Sequence, residues 1–430
     1  MRPASKDPHV VLLAAVAAAV ALEVARGSGT LGTSETWPLL QALAAGGALL
    51  VAWRLQQRLR LAPLLALALA LEVGFVVVHL ALGVQSDFDS ARVYPREGEA
   101  LLHGHYPDTE YPPGAVLLFA FEALVSGGGS GVRVANAFTM IPFELAAVAA
   151  VFVLSPRRSA WFAALLAVWP LDAFYWEFKY DAAPTAALVV GLVLAYRNRW
   201  TSAGVVLGLG AALKWTPGLA ALGVALWLLS RRRARDAVRH LAAAVGVFLV
   251  VNIPFLATSP GLVLHSYHVQ ASRGITGESF AYLVLRLVGR AEIPPNSAFY
   301  GPVIAPSWAT TAAGALQLLA VLAVLALVLR SRTRDAAVAV AALVPVAFLL
   351  TTRTFSPQYL VTILAAWCVA GALLAATRRR QLLLALPMLG ATLANVLVYP
   401  VVTPTYWWVC SWAMFLLGAT ATAALLAEAA

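Results

Sequence analysis

Residues 61–83 read LAPLLALALALEVGFVVVHLALG, and residues 85–114 read QSDFDSARVYPREGEALLHGHYPDTEYPPG. The first stretch is apolar and long enough to cross a bilayer as one helix. The second holds six carboxylates, Asp87, Asp89, Glu97, Glu99, Asp108 and Glu110. Packing gives no reason to keep that many acids between apolar spans, and long polar loops of this kind usually carry function. The alternation of greasy helix and polar loop decides the fold class.

Working outward, the same alternation runs through all 430 residues, of which 61% are hydrophobic and 12% charged. A soluble domain carries about twice that charged share. Lipid tolerates only helices or closed barrels, and the pattern lacks the two-residue alternation of barrel strands. The expected fold is an all-α polytopic membrane protein of about 12–14 transmembrane helices, one integral domain over 1–430. Within it, 1–60 reads as a helical hairpin, 61–360 as the catalytic core and 361–430 as C-terminal helices. Cys368 and Cys410 fall in apolar runs, so neither a disulfide framework nor a metal motif follows. Arg2, Lys6 and the apolar run from Val10 imitate a signal peptide, but with so many later spans a retained first helix is expected.

The net charge of +10 does not indicate nucleic acid. Most arginines sit in short clusters between spans: Arg54/Arg58/Arg60, Arg157/Arg158, Arg197/Arg199, Arg231 to Arg239, Arg330/Arg332/Arg334 and Arg378 to Arg380. That is the cytoplasmic signature of positive-inside topology. Spans between clusters must then come in even numbers. They are 9–26, 37–53, 61–83, 133–154, 159–176, 182–197, 201–215, 217–230, 237–257, 307–330, 335–352, 358–377, 381–400 and 405–427, with both termini cytoplasmic. Residues 113–126 are too short to cross and are expected as a re-entrant or interfacial helix. Lys214 would sit inside one long span over 203–229, which is costly; two short helices meeting at Pro217 put it at the outer mouth. The aromatics of 169–180 and 405–412 are expected in interfacial belts.

Five ordered motifs now resemble the GT-C glycosyltransferases, most closely glycosyltransferase family 87. They are SDFDSARVY (86–94), EYPPG (110–114), KYD (179–181), GLGAALKWTP (208–217), and YHVQASRGITGES (267–279) with FSPQYL (355–360). Each is weak alone; their order over roughly 86–360 is the specific signal. The resemblance implies a polyprenyl-phosphate-sugar donor and an extracytoplasmic cleft, as in actinobacterial mannosyl- and arabinosyltransferases of the cell envelope. The Asp-to-Tyr spacing in the first motif is longer than the family's, so Asp87 and Asp89 both remain candidates for the base. The first two spans look like an addition ahead of the catalytic loop.

Such a transferase needs a base for the acceptor hydroxyl, cations around the departing phosphate, and grooves for lipid and acceptor. Asp87, with Asp89 as the alternative, is the expected base, and Asp181 a second catalytic carboxylate. Lys214, Arg273, Arg353 and His268 are the expected phosphate contacts. Tyr94, Glu110, Lys179, Tyr267, Glu278, Gln358 and Tyr359 are candidate substrate contacts. Several of these have ordinary readings as solvated loop charges, snorkelling side chains or helix-start ion pairs. No metal cluster or nucleotide-binding loop is legible, and a divalent cation is left as optional. The partners expected are the lipid-linked donor, a glycolipid or glycan acceptor and the bilayer, with no nucleic acid. A flippase of lipid-linked sugars and a non-catalytic assembly protein are the competing readings. A flippase predicts interrupted helices in matching halves with charges near midplane, which the sequence does not display.

Overall fold

The computed structural model describes residues 7–30, 36–83, 88–154, 156–295, 301–401 and 406–430. Among them the chain forms nineteen α-helices and no sheet, only two isolated bridges, Thr276 with Pro302 and Glu292 with Ile304. The fold is all-α and polytopic. The helices are α1 (Pro8–Gly27), α2 (Thr36–Arg54), α3 (Leu61–Ala81), α4 (Tyr94–Leu102), α5 (Pro113–Ser126), α6 (Gly131–Leu154) and α7 (Pro156–Val168). Then come α8 (Pro170–Phe178), α9 (Ala182–Tyr196), α10 (Trp200–Leu213), α11 (Thr216–Ser230), α12 (Ala234–Thr258) and α13 (Pro260–Ser272). The last are α14 (Phe280–Leu287), α15 (Ser307–Arg330), α16 (Arg334–Thr351), α17 (Tyr359–Leu374), α18 (Arg378–Val398) and α19 (Trp407–Ala429).

Among the described residues nine helices are long and apolar enough to cross a bilayer: α1, α2, α3, α6, α12, α15, α16, α18 and α19. Counting α8 with α9 as one broken span makes ten, although the two meet at 113°. The remaining expected spans are short apolar helices. α10, α11 and α17 have 14, 15 and 16 residues, about 21–24 Å at 1.5 Å per residue. α5, at 14 residues, is short in the same way.

The break expected beside Lys214 is present. Lys214 leaves α10 in extended conformation (φ −157°, ψ 115°), and Pro217 sits in the first turn of α11. A proline there lacks only an N–H that a helix start leaves unpaired anyway. The expected span over 159–176 is not one helix. It stops at Val168 and restarts at Pro170, with Trp169 extended between them (φ −82°, ψ 102°). The proline ring clashes with helical backbone in the residue before it. The aromatics of 169–180 are consequently not a belt. Trp169, Tyr175, Trp176 and Tyr180 are all buried.

Sequence character sorts the helices by depth. α17 is buried at every position from Leu360 to Leu373, as a helix apolar all round should be. α12 turns Val245, Val250 and Ile253 outward, and α15 turns Leu318 and Leu319 outward, which suits lipid contact. Small residues set the tightest crossings. A Cβ on Gly208 would lie 2.3 Å from the Ala244 carbonyl oxygen, so α10 and α12 meet backbone to backbone. A Cβ on Gly114 would lie 2.4 Å from the Ala212 carbonyl oxygen, where α5 meets the last turn of α10.

That second crossing sets the position of Lys214, two residues on. Gly114→Ala forces the two elements apart. The expected cost is about 1–3 kcal/mol, seen as a lowered Tm of the detergent-solubilised protein. Gly246→Ala, where a Cβ meets nothing within 4 Å, should leave Tm unchanged or slightly raised.

Candidate active site

Three helix breaks lie at one end of the bundle: 179–181 between α8 and α9, 214–215 between α10 and α11, and 352–358 between α16 and α17. The arginine clusters occupy the opposite termini of the same helices, as with Arg197 after α9, Arg231 after α11 and Arg334 at the start of α16. Each break carries charge. Lys179 Nζ donates to Asp89 Oδ2 at 2.6 Å, with the lysine 9% and the aspartate 27% exposed. Asp89 opens a π-helical turn, Asp89–Val93, that leads into α4. Lys214 pairs with Oδ1 of Asp181, which is wholly buried ahead of α9. Its ammonium also lies 4.5 Å from the ring centroid of Tyr359 and 5.4 Å from that of Tyr180. Ring faces attract cations, so the lysine is held on three sides.

These groups border a cavity of about 570 Å³, a size typical of small-molecule sites. Asp89, Lys179, Lys214, Arg273, Glu278 and Gln358 line it, and Tyr359 and Glu110 do so as well. A second cavity of about 420 Å³ shares Glu110, Trp215 and Tyr359 with the first and adds Tyr267 and Arg353. Between the two, Arg273 is paired with Glu110, and Gln270 Nε2 donates to the Glu110 carbonyl at 3.3 Å. Arg353 donates to the Ala271 carbonyl, and the Thr276 amide returns a bond to the Arg353 carbonyl at 2.9 Å.

Not every expected residue reaches these cavities. Asp87 lies outside the described residues. Tyr94 borders neither cavity. It is buried and stacked on Phe119 at 4.1 Å, with Tyr111 and Tyr180 edge-on around it, so it supports the wall from behind. Asp181 also stands behind the wall; it acts on the cavity through Lys214, and its Oδ2 has no hydrogen-bond partner among the described residues. His268 is exposed on α13 and borders neither cavity. Tyr267 borders the second cavity, with its hydroxyl bonded to Asn252 Oδ1 at 2.8 Å. Gln270, Tyr175 and Tyr399 are lining residues that sequence reasoning missed. Also missed is a set of buried ionisable groups within the apolar helices, Glu23, Glu72, His79, Glu144 and Glu177. Its signal was present: a charge in the middle of a span is costly and asks for a reason. Among the described residues no three or more His, Cys, Asp or Glu side chains are placed to hold a metal ion.

A charged, half-enclosed cavity at helix breaks, reached by motifs in that order, is what a comparison of the whole sequence can test. A family model described as glycosyltransferase family 87 matches residues 109–357. The chain belongs to glycosyltransferase family 87. The match covers more than half of the chain and includes Glu110, Lys179, Asp181, Lys214, Arg273, Glu278 and Arg353. Asp89 precedes it and Gln358 and Tyr359 directly follow it. No curated protein and no solved structure matches. Membership makes the protein a membrane glycosyltransferase, and the cavity is its candidate active site.

Glu278 lies in the loop between α13 and α14, and burial pushes its carboxyl up to about 8, with Lys179 pulling the other way. Below that pH it is a neutral hydrogen-bond donor at the cavity wall. In the unfolded chain the same carboxyl loses its proton near 4.5. The folded state therefore holds an extra proton between those values, and this stabilisation, complete at acid pH, is lost as pH rises toward 8. Glu278→Gln has no such proton. The Tm of wild type relative to Glu278→Gln should fall from pH 5 to pH 8 and then level off; a pH-independent difference would refute this.

The Lys214–Asp181 pair gives a second expectation. Lys214→Met strands a buried carboxylate and should cost roughly 3 kcal/mol. Adding Asp181→Asn removes the stranded charge and should restore most of the Tm. Transfer activity should stay low in both variants.

Proposed function

We propose that this family 87 enzyme transfers a sugar, mannose or arabinofuranose, from a polyprenyl-phosphate donor to a hydroxyl of an envelope glycolipid or polysaccharide, with inversion. The observation that carries the reading is the meeting of Asp89, Lys179, Lys214 and Arg273 around one cavity at the end of the bundle away from the arginine clusters. Under the positive-inside rule that end is extracytoplasmic and both chain termini are cytoplasmic. A lipid-linked donor suits this arrangement, since it reaches the site from the bilayer.

In the proposed reaction Asp89 takes the proton of the acceptor hydroxyl, with Asp87 as the alternative base. The hydroxyl oxygen attacks the anomeric carbon as its bond to the phosphate oxygen breaks. Polyprenyl monophosphate departs, and its charge is met by Lys214 and Arg273. Lys179 Nζ, 2.6 Å from Asp89 Oδ2, orients the carboxylate. Arg273 is paired with Glu110, and in this reaction the phosphate takes the place of the Glu110 carboxylate. Gln358, Tyr359 and neutral Glu278 offer hydrogen bonds to sugar hydroxyls. No metal is required for this leaving group, and a divalent cation stays optional.

A carrier of lipid-linked sugars is the second reading. The observation that favours it is the pair Glu72 and Glu144, buried carboxyls well inside α3 and α6. Turnover separates the two. Purified protein in nanodiscs, given polyprenyl-phosphate mannose or arabinose and envelope acceptors, should yield a glycosylated product of inverted anomeric configuration. Asp89→Asn should lower kcat by about 10²–10⁴-fold, the range for a general base, while donor binding persists. An unaffected kcat in both Asp89→Asn and Asp87→Asn, or lipid movement across the bilayer without any product, would refute the transferase reading.

A further inference from the structure

Glu23, His79 and Glu177 come from three helices, α1, α3 and the last turn of α8, and each is at most 1% exposed. The imidazole is bonded at both nitrogens: Nδ1 lies 2.6 Å from Glu177 Oε2, and Nε2 lies 2.7 Å from Glu23 Oε1. Two such bonds need two protons between ring and carboxyls, one more than a neutral ring with two carboxylates supplies. Arg26 binds the same Glu23 oxygen, through Nε at 2.7 Å and through Nη2. Gln41 Nε2 donates to the other Glu23 oxygen at 3.1 Å. The ring, the guanidinium, which also lies 3.1 Å from His79 Nε2, and the two carboxyls thus partner one another in a place where an unmatched charge would be severely penalised.

What this cluster grips is the root of the active site. Glu177 stands two residues before Lys179, the partner of Asp89. The same turn is held from α6, where Asn136 Nδ2 donates to the Glu177 carbonyl at 3.0 Å and the Arg133 guanidinium lies 4.8 Å from the Phe178 ring. We propose that His79 is a positioning residue of the transfer reaction: backed by Glu23 and Arg26, it fixes Glu177 and through it the stance of Lys179 and Asp89. The inference rests on the transferase reading, and it gives the first helix, which lies ahead of the family 87 match, a part in the reaction.

The test compares His79→Gln and Glu177→Gln with Glu122→Gln, a fully buried carboxyl on α5 whose two oxygens have no hydrogen-bond partner among the described residues. A misplaced catalytic group loses rate without losing substrate, and a shift of an ångström is enough. His79→Gln and Glu177→Gln should each lower kcat about tenfold or more with both KM values within about twofold of wild type. The double variant should be no worse than the weaker single, since both act through one contact. Hydrogen exchange should quicken at amides 178–181 and 88–93 and stay unchanged in α9 and α17. Glu122→Gln should show none of this. Should His79→Gln not accumulate, Glu177→Gln carries the same readings; failure of both to accumulate marks a folding role and overturns the proposal. Equal loss in Glu122→Gln, additive losses in the double variant, or unchanged exchange at 178–181 overturns it too. If the wild type transfers no sugar, the reading under Proposed function fails, and the exchange measurement, which needs no turnover, still decides whether His79 holds this turn.

Discussion

Lipid offers no partner to a backbone N–H or C=O, so a membrane helix can stop short only against protein or water. Two apolar helices of this chain do stop short, at Phe178 and Leu213, and each is followed within a few residues by another helix start, while α16, long enough to cross, ends at Thr351 beside the same cavity. Some of the freed groups are met locally: the Lys214 amide reaches the Gly210 carbonyl at 2.8 Å, and Thr276, from a distant loop, reaches the Arg353 carbonyl. The rest of the space at the breaks is polar cavity. Charges gather there because it is the part of the bundle where they can be both solvated and paired. The catalytic geometry follows from where the helices fail, as much as from where they form.

This explains which parts of the molecule were legible in the sequence. A charge followed by proline in an apolar run marks a helix break by simple cost, and Lys214 with Pro217 was readable on that ground. Pro170 offered the same proline signal, with no charge just ahead of it and Asp172 two residues after it. Its flanks, LLAVW and LDAFYW, are apolar enough to read as one continuous span, so the break at Trp169 and the burial of the aromatics around it were not anticipated. Motif order located the polar loops that line the cavity, where Asp89, Lys179, Lys214 and Arg273 come together, while Asp87, the first choice of base, lies outside the described residues. Side-chain direction was beyond it. Tyr94 and Asp181 stand behind the cavity wall and His268 points away, because a loop's position in sequence does not say which of its side chains face inward.

The buried cluster around His79 was hidden for a different reason. Its members are 56 and 98 residues apart along the chain, and each looks like a lone flaw in a greasy helix. Only pairing turns such flaws into structure. A buried ion pair gives little net stability against an apolar alternative, while losing one partner is strongly destabilising. Residues held on those terms specify arrangement more than they supply stability. That suits a joint between α1, α3 and α8, whose relative placement decides where Lys179 emerges.

The two cations that the proposed reaction offers to the phosphate, Lys214 and Arg273, are held differently, and the difference bears on that proposal. Lys214 is 15% exposed, tied to a fully buried carboxylate and flanked by two aromatic rings. It cannot leave without stranding Asp181, so it stands in place before substrate arrives. Preorganised charge of this kind stabilises a departing anion without reorganisation at the moment of reaction. Arg273 is 41% exposed, and its partner Glu110 is 30% exposed. An exposed pair is worth little and is easily exchanged. In the proposed reaction a phosphate therefore displaces Glu110 at small cost, and Glu110 borders both cavities. In that proposal the fixed lysine supplies rate from the break between α10 and α11, and the exchangeable arginine supplies recognition from the end of α13.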